Sequence, residues 1–310
     1  MMKRRIGVLV MSYGTPESMD QVLAYYTHIR RGNPPSPEQL AELTGRYEAI
    51  VGGMFPLRVN TNRQVGALEK ALNEGNKEIE FICCQGLKHA RPFVADGVEQ
   101  LFRAGVESAV GIVLAPHYST MSVGSYIKTA EAKAEELGLP MTFVKSYHLD
   151  AKLIQALVNR VENRLGHFAE LGVSKDDVRI FFTAHSLPQS ILAMGDPYPT
   201  QLAETSAEVA SRTGVTRWSF AWQSAGRTAV PWLGPDILEV LKEAHENGET
   251  HILICPIGFV SDHLEVLYDI DIECMREAER LGITLMRTES LNTDPLYIEA
   301  LRDAVQTVVL

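Results

Sequence analysis

Three groups of residues combine type and spacing in a way that does chemistry. His185 follows the apolar run 178–184, which reads as a buried strand. A histidine at a strand's carboxyl end can serve as a base or a metal ligand, and it can equally well be bonded to its own backbone turn. The second group is Glu265, Asp269 and Glu273, spaced by four in the segment 261–273, so that one helical face carries three carboxylates. Like charges at that spacing destabilise a helix, and a row of acids facing a cavity invites a divalent cation that oxygen ligands hold loosely. A solvated face would give the same row, and Glu265 also fits the third position of a capping box begun by Asp262. The third group is basic: His28, Arg30, Arg31, Arg46 and Lys88-His89, with tyrosines interleaved. Arginine and lysine so presented suit carboxylates or phosphates, although surface salt bridging explains any one of them. The hydroxyl-rich stretch 118–126, with Ser119, Thr120 and Tyr126, follows a strand and could cap a helix and hold an anion.

Composition bounds what this chemistry serves. A length of 310 residues suits two domains of roughly 150 residues. With 45% hydrophobic and 22% charged residues the chain is of globular type. It has no apolar run of the roughly 18 residues needed to span a membrane. The start, MMKRRIGVLVMSYG, runs into Gly14-Thr15-Pro16 without a small-residue cleavage site, and reads as a first strand rather than a signal peptide. The four cysteines, Cys83, Cys84, Cys255 and Cys274, lack the spacing of a metal clip and read as reduced thiols in a cytoplasmic protein. A net charge of −10 argues against nucleic acid as a partner. No nucleotide-binding glycine fingerprint is present.

The elements that must position these residues alternate between strand and helix, the pattern of parallel sheets with crossover helices. Strands are predicted at 5–12, 79–85, 109–115, 141–146, 178–184, 217–223, 251–257 and 283–288, four in each half. The halves resemble one another. Pro92-Phe93 opens a helix and the next strand ends at Pro116; Pro231-Trp232 is expected to open a helix before the strand ending at Pro256. Cys84-Gln85-Gly86 is matched with Trp222-Gln223-Ser224, and 12–16 with 184–188. Internal duplication explains this order better than chance. The fold expected is α/β: two similar Rossmann-like domains, each a four-stranded parallel sheet flanked by helices, with a cleft between them. The first would span 1–147 plus a C-terminal helix at 290–310, and the second 148–289. Functional loops lie beyond the carboxyl ends of such strands, which sets Tyr13 and His185 at matching positions on opposite walls of the cleft.

The motifs that carry a family resemblance are dispersed over nearly the whole chain. They are Met11-Ser12-Tyr13-Gly14-Thr15-Pro16, Tyr25-Tyr26-Thr27-His28-Ile29-Arg30-Arg31-Gly32, Gly86-Leu87-Lys88-His89, Leu114-Ala115-Pro116-His117-Tyr118-Ser119 and Ala184-His185-Ser186-Leu187-Pro188. Gly195-Asp196-Pro197-Tyr198-Pro199, Trp222-Gln223-Ser224, Pro231-Trp232-Leu233-Gly234-Pro235-Asp236 and His263-Leu264-Glu265-Val266-Leu267-Tyr268-Asp269 complete the set. Together they resemble the ferrochelatases, and in particular the compact coproporphyrin III enzymes of Gram-positive bacteria. The resemblance implies a chelatase-like, cytoplasmic, monomeric lyase of haem biosynthesis that inserts ferrous iron into coproporphyrin III to form coprohaem. His185 and Glu265 match the catalytic pair on the metal side of the macrocycle, and Tyr13 the residue that approaches the iron from the other face. Arg46, Asp269 and Glu273 match an outer metal site, open to Mg2+; Arg30 and Arg31 match residues that position the porphyrin. Arg46 and Lys88 suit the propionates, and Ser119, Thr120 and Tyr126 are further candidates for the ring. Ferrous iron and porphyrin are the partners, as substrates. No organic cofactor is implied, and no cysteine follows Cys274 to hold an iron–sulfur cluster of the kind some relatives carry. Phe55 stands where the family pattern has serine, Ala225 where it has glutamate, and the loop near Val51 is one residue longer. A protoporphyrin IX ferrochelatase, a cobalt chelatase of the same fold and a non-catalytic porphyrin carrier are the competing readings.

Overall fold

The computed structural model describes residues 3–50, 55–226 and 228–309; the lengthened loop at Val51 lies outside them. The chain divides into two compact units, Met1–Tyr147 with Asn292–Leu310, and His148–Leu291. Each is built on a four-stranded, all-parallel sheet with helices between the strands.

In the first unit the strands are β1 (Arg4–Ser12), β2 (Ile79–Leu87), β3 (Ser108–Val113) and β4 (Met141–Phe143), in the order β2-β1-β3-β4. The helices, numbered along the whole chain, are α1 (Val22–Ile29), α2 (Pro37–Ala49), α3 (Pro56–Asn73), α4 (Val94–Arg103), α5 (Val123–Leu137) and the last, α12 (Pro295–Thr307). The second unit holds α6 (Ala151–Glu170), β5 (Arg179–His185), α7 (Ser190–Ala193), α8 (Tyr198–Thr213), β6 (Trp218–Gln223) and α9 (Ile237–Glu246). It continues with β7 (His251–Cys255), α10 (Leu264–Leu267), a π-helical segment Asp269–Cys274, α11 (Met275–Leu281) and β8 (Thr284–Arg287), the strands lying in the order β6-β5-β7-β8. No helix among the described residues is long and apolar enough to cross a membrane.

Local sequence accounts for these boundaries. Ser36 and Gln39 form a reciprocal capping box at the start of α2, with Pro37 in the first turn, and Asp236 and Glu239 do the same for α9. Asp150 and Asp294 cap α6 and α12. The central strands β1 and β5 are buried on both faces, which is why they read as unbroken apolar runs. Leu9, Met11, Val98, Leu101 and Ala130 form the heart of one core; Phe181, Leu241, Ile254, Val266 and Ile270 that of the other. Each large side chain so buried contributes about 1.5–3 kcal/mol. In the first unit α12 packs on α3, where the Asn60 amide donates to Asn292 Oδ1 at 2.9 Å and that of Gln64 to the Asn292 carbonyl at 2.8 Å.

All eight expected strands form, but three stop two or more residues early. Pro116 and Pro256 have no N–H to extend a ladder, and β3 and β7 end short of them. β4 is three residues long, because beyond it Tyr147 leaves the ladder and donates its N–H to the Pro116 carbonyl at 3.1 Å.

The ladders also correct the expected alignment of the two halves. Ser12 pairs with Leu87, and Ala184 with Trp222. The N–H of Leu87 donates to the Pro92 carbonyl at 2.8 Å and that of Trp222 to the Pro235 carbonyl at 2.9 Å, just before α4 and α9 begin. Pro235 is therefore the counterpart of Pro92. Pro231-Trp232 opens no helix: Trp232 bridges Pro188, and α9 starts at Ile237. On the same register Tyr13 and His185 are equivalent, while Gln223 corresponds to Lys88 rather than to Gln85.

Candidate functional site

The second unit gathers an acid–base cluster where β5 and β7 end. The His185 Nδ1–H donates to the Ser186 carbonyl, which turns Nε2 toward Glu265 Oε1 at 3.4 Å. His263 repeats the arrangement: Nδ1–H donates to the Ser261 carbonyl at 2.9 Å, and Nε2 lies 3.4 Å from Glu265 Oε2. A carbonyl only accepts, so each Nδ1 carries the proton. Each Nε2 then faces a carboxylate oxygen with a lone pair unless it holds a second proton or shares a cation. Burial disfavours the charge on His185, but Glu265, helped by Asp269, overrides it and raises the imidazole from 6.5 to about 9. Burial likewise opposes the charge on Glu265, and the two histidines reverse it, holding the carboxyl well below its usual range. The pair thus rests as imidazolium and carboxylate. With their side chains 33% and 31% exposed, both remain reachable.

Neighbouring elements fix this geometry. The buried Gln223 accepts from the Thr183 hydroxyl at 2.8 Å and donates its amide to the Glu265 backbone carbonyl at 2.8 Å, tying β5 to the turn that carries the acid. The Tyr198 hydroxyl donates to the His185 carbonyl at 3.1 Å. Phe259 stands between the histidines, its ring centroid 6.5 Å from that of His185 and 4.8 Å from that of His263. Gly258 lets the chain leave β7 close against β5: a Cβ there would lie 2.8 Å from Ala184 Cα.

The acidic row is not the straight α-helical ladder that its spacing predicts. After α10 the chain widens into the π-helix, where the Glu273 N–H reaches back five residues to Tyr268. Asp269 is buried and accepts from the Ser224 hydroxyl. The capping-box reading fails, because the N-cap residue is His263, whose side chain makes no bond to the helix start, and Asp262 instead accepts from Ser290 at 2.8 Å. Among the described residues no set of three or more His, Cys, Asp or Glu side chains is grouped to hold a metal ion. Burial pushes the Cys84 and Cys255 thiols up to about 12, far from the thiolate form that binds metals.

The basic and hydroxyl candidates belong to the first unit. Tyr13, 41% exposed, lies just past β1 with its ring 4.6 Å from that of His89. Lys88 donates to the Ser125 hydroxyl at 2.8 Å and sits 5.0 Å over the buried Tyr126 ring; burial lowers its pKa. The Arg30 guanidinium lies 5.7 Å over Tyr26, Arg31 takes a left-handed backbone at φ 56°, and Arg46 is in the last turn of α2. Thr120 is exposed. Ser119 is buried and its hydroxyl caps no helix: it accepts from the Met121 N–H at 3.2 Å, and it is the Ser119 carbonyl that takes the Gly124 N–H. Phe55, in place of the family's serine, is buried with its ring 4.9 Å from that of Tyr47.

Two features escaped the sequence reading. His263 stood two residues before Glu265 and was legible as its partner. The contact of His28 with His89, Nδ1 to Nδ1 at 3.1 Å, joins residues 61 apart and left no local signal.

A ferrochelatase family model matches residues 5–309. The chain belongs to the ferrochelatase family. A coproporphyrin III ferrochelatase of Geobacillus thermodenitrificans is 46% identical over 312 residues, covering 100% of this chain and 96% of that protein. One of Halalkalibacterium halodurans is also 46% identical, over 99% of this chain and 98% of its own length. Among solved structures, SirB from Bacillus subtilis with Fe3+ shares the fold at a TM-score of 0.59 and 13% identity, covering 98% of this chain and 94% of that one. CbiX, described as the terminal enzyme for siroheme biosynthesis in denitrifying bacteria, does so at 0.57 and 9%, over 99% and 100%. The chain is accordingly an enzyme, a ferrochelatase that places iron in a porphyrin, and ferrous iron is its substrate.

Proposed function

We propose that this ferrochelatase inserts ferrous iron into coproporphyrin III, forming coprohaem, with His185 and Glu265 as the residues that take the metal and the displaced protons. The observation that carries the reading is the pair of histidines aimed by their Nε2 atoms at the two oxygens of one carboxylate. Metallation removes two pyrrole protons and strips water from Fe2+. Arriving iron binds Glu265 and displaces the proton from the partly exposed His185 Nε2 to solvent. Once the metal has passed to the ring nitrogens, that Nε2 accepts one pyrrole proton, and His263, across the same carboxylate, is placed to take the other. Asp269 and Glu273 serve as the outer metal station, where oxygen ligands exchange water and release a divalent cation readily. Coproporphyrin carries four propionates, and Arg30, Arg31, Arg46 and Lys88 supply cations on a chain of net charge −10. Tyr13 approaches the iron, and Ser119, Thr120 and Tyr126 serve the ring. Relatives bearing the coproporphyrin name at 44–46% identity support this ring over a two-propionate one.

Anaerobic iron insertion measured with coproporphyrin III and with protoporphyrin IX tests the choice of ring, and the expected result is faster turnover with the four-propionate ring. A preference for protoporphyrin IX overturns it, and tight binding of either ring without metal-dependent turnover would mark a carrier instead.

A further inference from the structure

The segment 261–273 carries five acids, and two of them, Asp262 and Asp271, take no part in the row Glu265, Asp269, Glu273. Both meet one side chain. Arg287, the last residue of β8, grips Asp271 with a two-pronged fork, Nε to Oδ1 at 2.6 Å and Nη2 to Oδ2 at 2.8 Å. The same Nη2 lies 3.6 Å from Asp262 Oδ1, which also accepts from the Ser290 hydroxyl. Nη1 donates to the Thr288 carbonyl at 2.8 Å. Asp262 immediately precedes His263, and Asp271 sits within the π-helix. One guanidinium therefore pins both ends of the stretch from which His263, Glu265 and Asp269 project.

The stability of the fold does not call for this arrangement. Arg287 is 13% exposed. Withdrawing the guanidinium from water beside two partly exposed carboxylates costs about what their attraction returns. The apolar contacts of Val266, Ile270 and Cys274 already hold the segment to the core. What a bidentate fork adds is direction. It fastens the wide π-helical turn Asp269–Cys274, a form rare in proteins and frequent at functional sites. We propose that Arg287 is a positioning residue for the metal side of the reaction: by clamping Asp262 and Asp271 it sets the arc on which His263, Glu265 and Asp269 are presented, without itself touching a substrate. The proposal rests on the reading that His185 and Glu265 handle the iron.

The test uses the full-length enzyme, anaerobically, with KM measured separately for Fe2+ and for coproporphyrin III and with thermal melting recorded on each variant. Arg287→Lys keeps the charge and loses the fork. It is expected to raise KM for Fe2+ about tenfold, the scale on which outer partners of metal ligands act, with KM for the porphyrin unchanged and kcat recovered at high iron. Asp262→Asn, which releases one end only, should shift the iron KM the same way by less, and it decides the matter alone if Arg287→Lys does not fold. An unchanged iron KM, an equal rise in both KM values, or a fall in kcat that merely follows the melting temperature overturns the proposal. His185→Ala is measured alongside. Should it keep wild-type iron insertion, the assignment of the metal-handling pair has failed, whatever the Arg287 variants do.

Discussion

The two units repeat one sheet topology yet put unlike groups at the same strand ends. Past β1, Tyr13 leans on His89, which itself contacts His28, with Lys88 nearby. At the equivalent end of β5, His185 meets a carboxylate that a second histidine shares. The divergence starts at the exit of the third strand of each sheet. Val10 pairs with Ile112 and Phe182 with Cys255, so these two strand residues correspond. The next backbone bond to the central strand is made by Leu114, two residues after Ile112, but by Gly258, three residues after Cys255. One added residue makes a tight turn, Ile257 N–H to the Cys255 carbonyl at 2.9 Å, and starts the segment that delivers His263 and Glu265. The scaffold is common to both units; the acid–base chemistry depends on how one loop leaves one strand.

The sharpest way to break this comparison is to remove the histidine from one unit and the phenol hydroxyl from the other. His185→Ala should lower kcat for iron insertion by about 10²–10⁴, the range lost with a positioned acid–base group, and Glu265→Gln should approach it. Tyr13→Phe should cost much less. Equal losses at Tyr13 and His185 would mean that the two strand ends share the chemistry evenly.

The fold was readable because β1, β5 and their neighbours are buried parallel strands, whose apolar runs and proline stops stand out without any tertiary information. The alignment of the halves went wrong at Pro231 because proline-rich loops look alike in one dimension: only hydrogen bonding reveals that Pro235 occupies the place of Pro92. In the site, His185 and Glu265 were visible as chemistry at strand ends, and the π-turn was not. A spacing of four reads as an α-helical face, and nothing local in Asp269–Cys274 announces the wider turn. Its fastening by Arg287, 16 residues from Asp271, depends on a strand packed alongside.

A smaller effect is expected at the loop in which the second unit differs from the first. Gly258→Ala forces a methyl group toward the Ala184 backbone, where Leu114 in the first unit carries a full side chain at the corresponding bond. Overpacking of this kind costs about 1–3 kcal/mol. Urea unfolding should show that loss, and because Ala184 adjoins His185, iron insertion should fall as well. Wild-type stability would mean that the chain can leave β7 by another route, and the added residue would lose its place in the argument.

The last contrast concerns pH, and here the units should respond in opposite directions. Burial, then Lys88 and His28, hold His89 in the first unit down at about 4, so it folds neutral. A histidine lowered from 6.5 gives stability that is complete above that value and lost as pH falls through about 4. His185, raised from 6.5 to about 9, gives stability that is complete below 6.5 and lost as pH rises through about 9. Glu265, held low, works in the other sense, its contribution fading only toward acid. Thermal melts of wild type, His185→Ala and His89→Ala across this range separate the two. The gap between wild type and His185→Ala should close from pH 6.5 to 9, and the gap to His89→Ala should close from pH 6.5 down to 4. If Fe2+ competes with the proton on Nε2, as proposed, iron uptake should follow the first of these: KM for the metal should fall as pH rises toward 9. Gaps that stay flat with pH would show that both histidines titrate as they do in the unfolded chain, and the electrostatic contrast between the two strand ends would be gone.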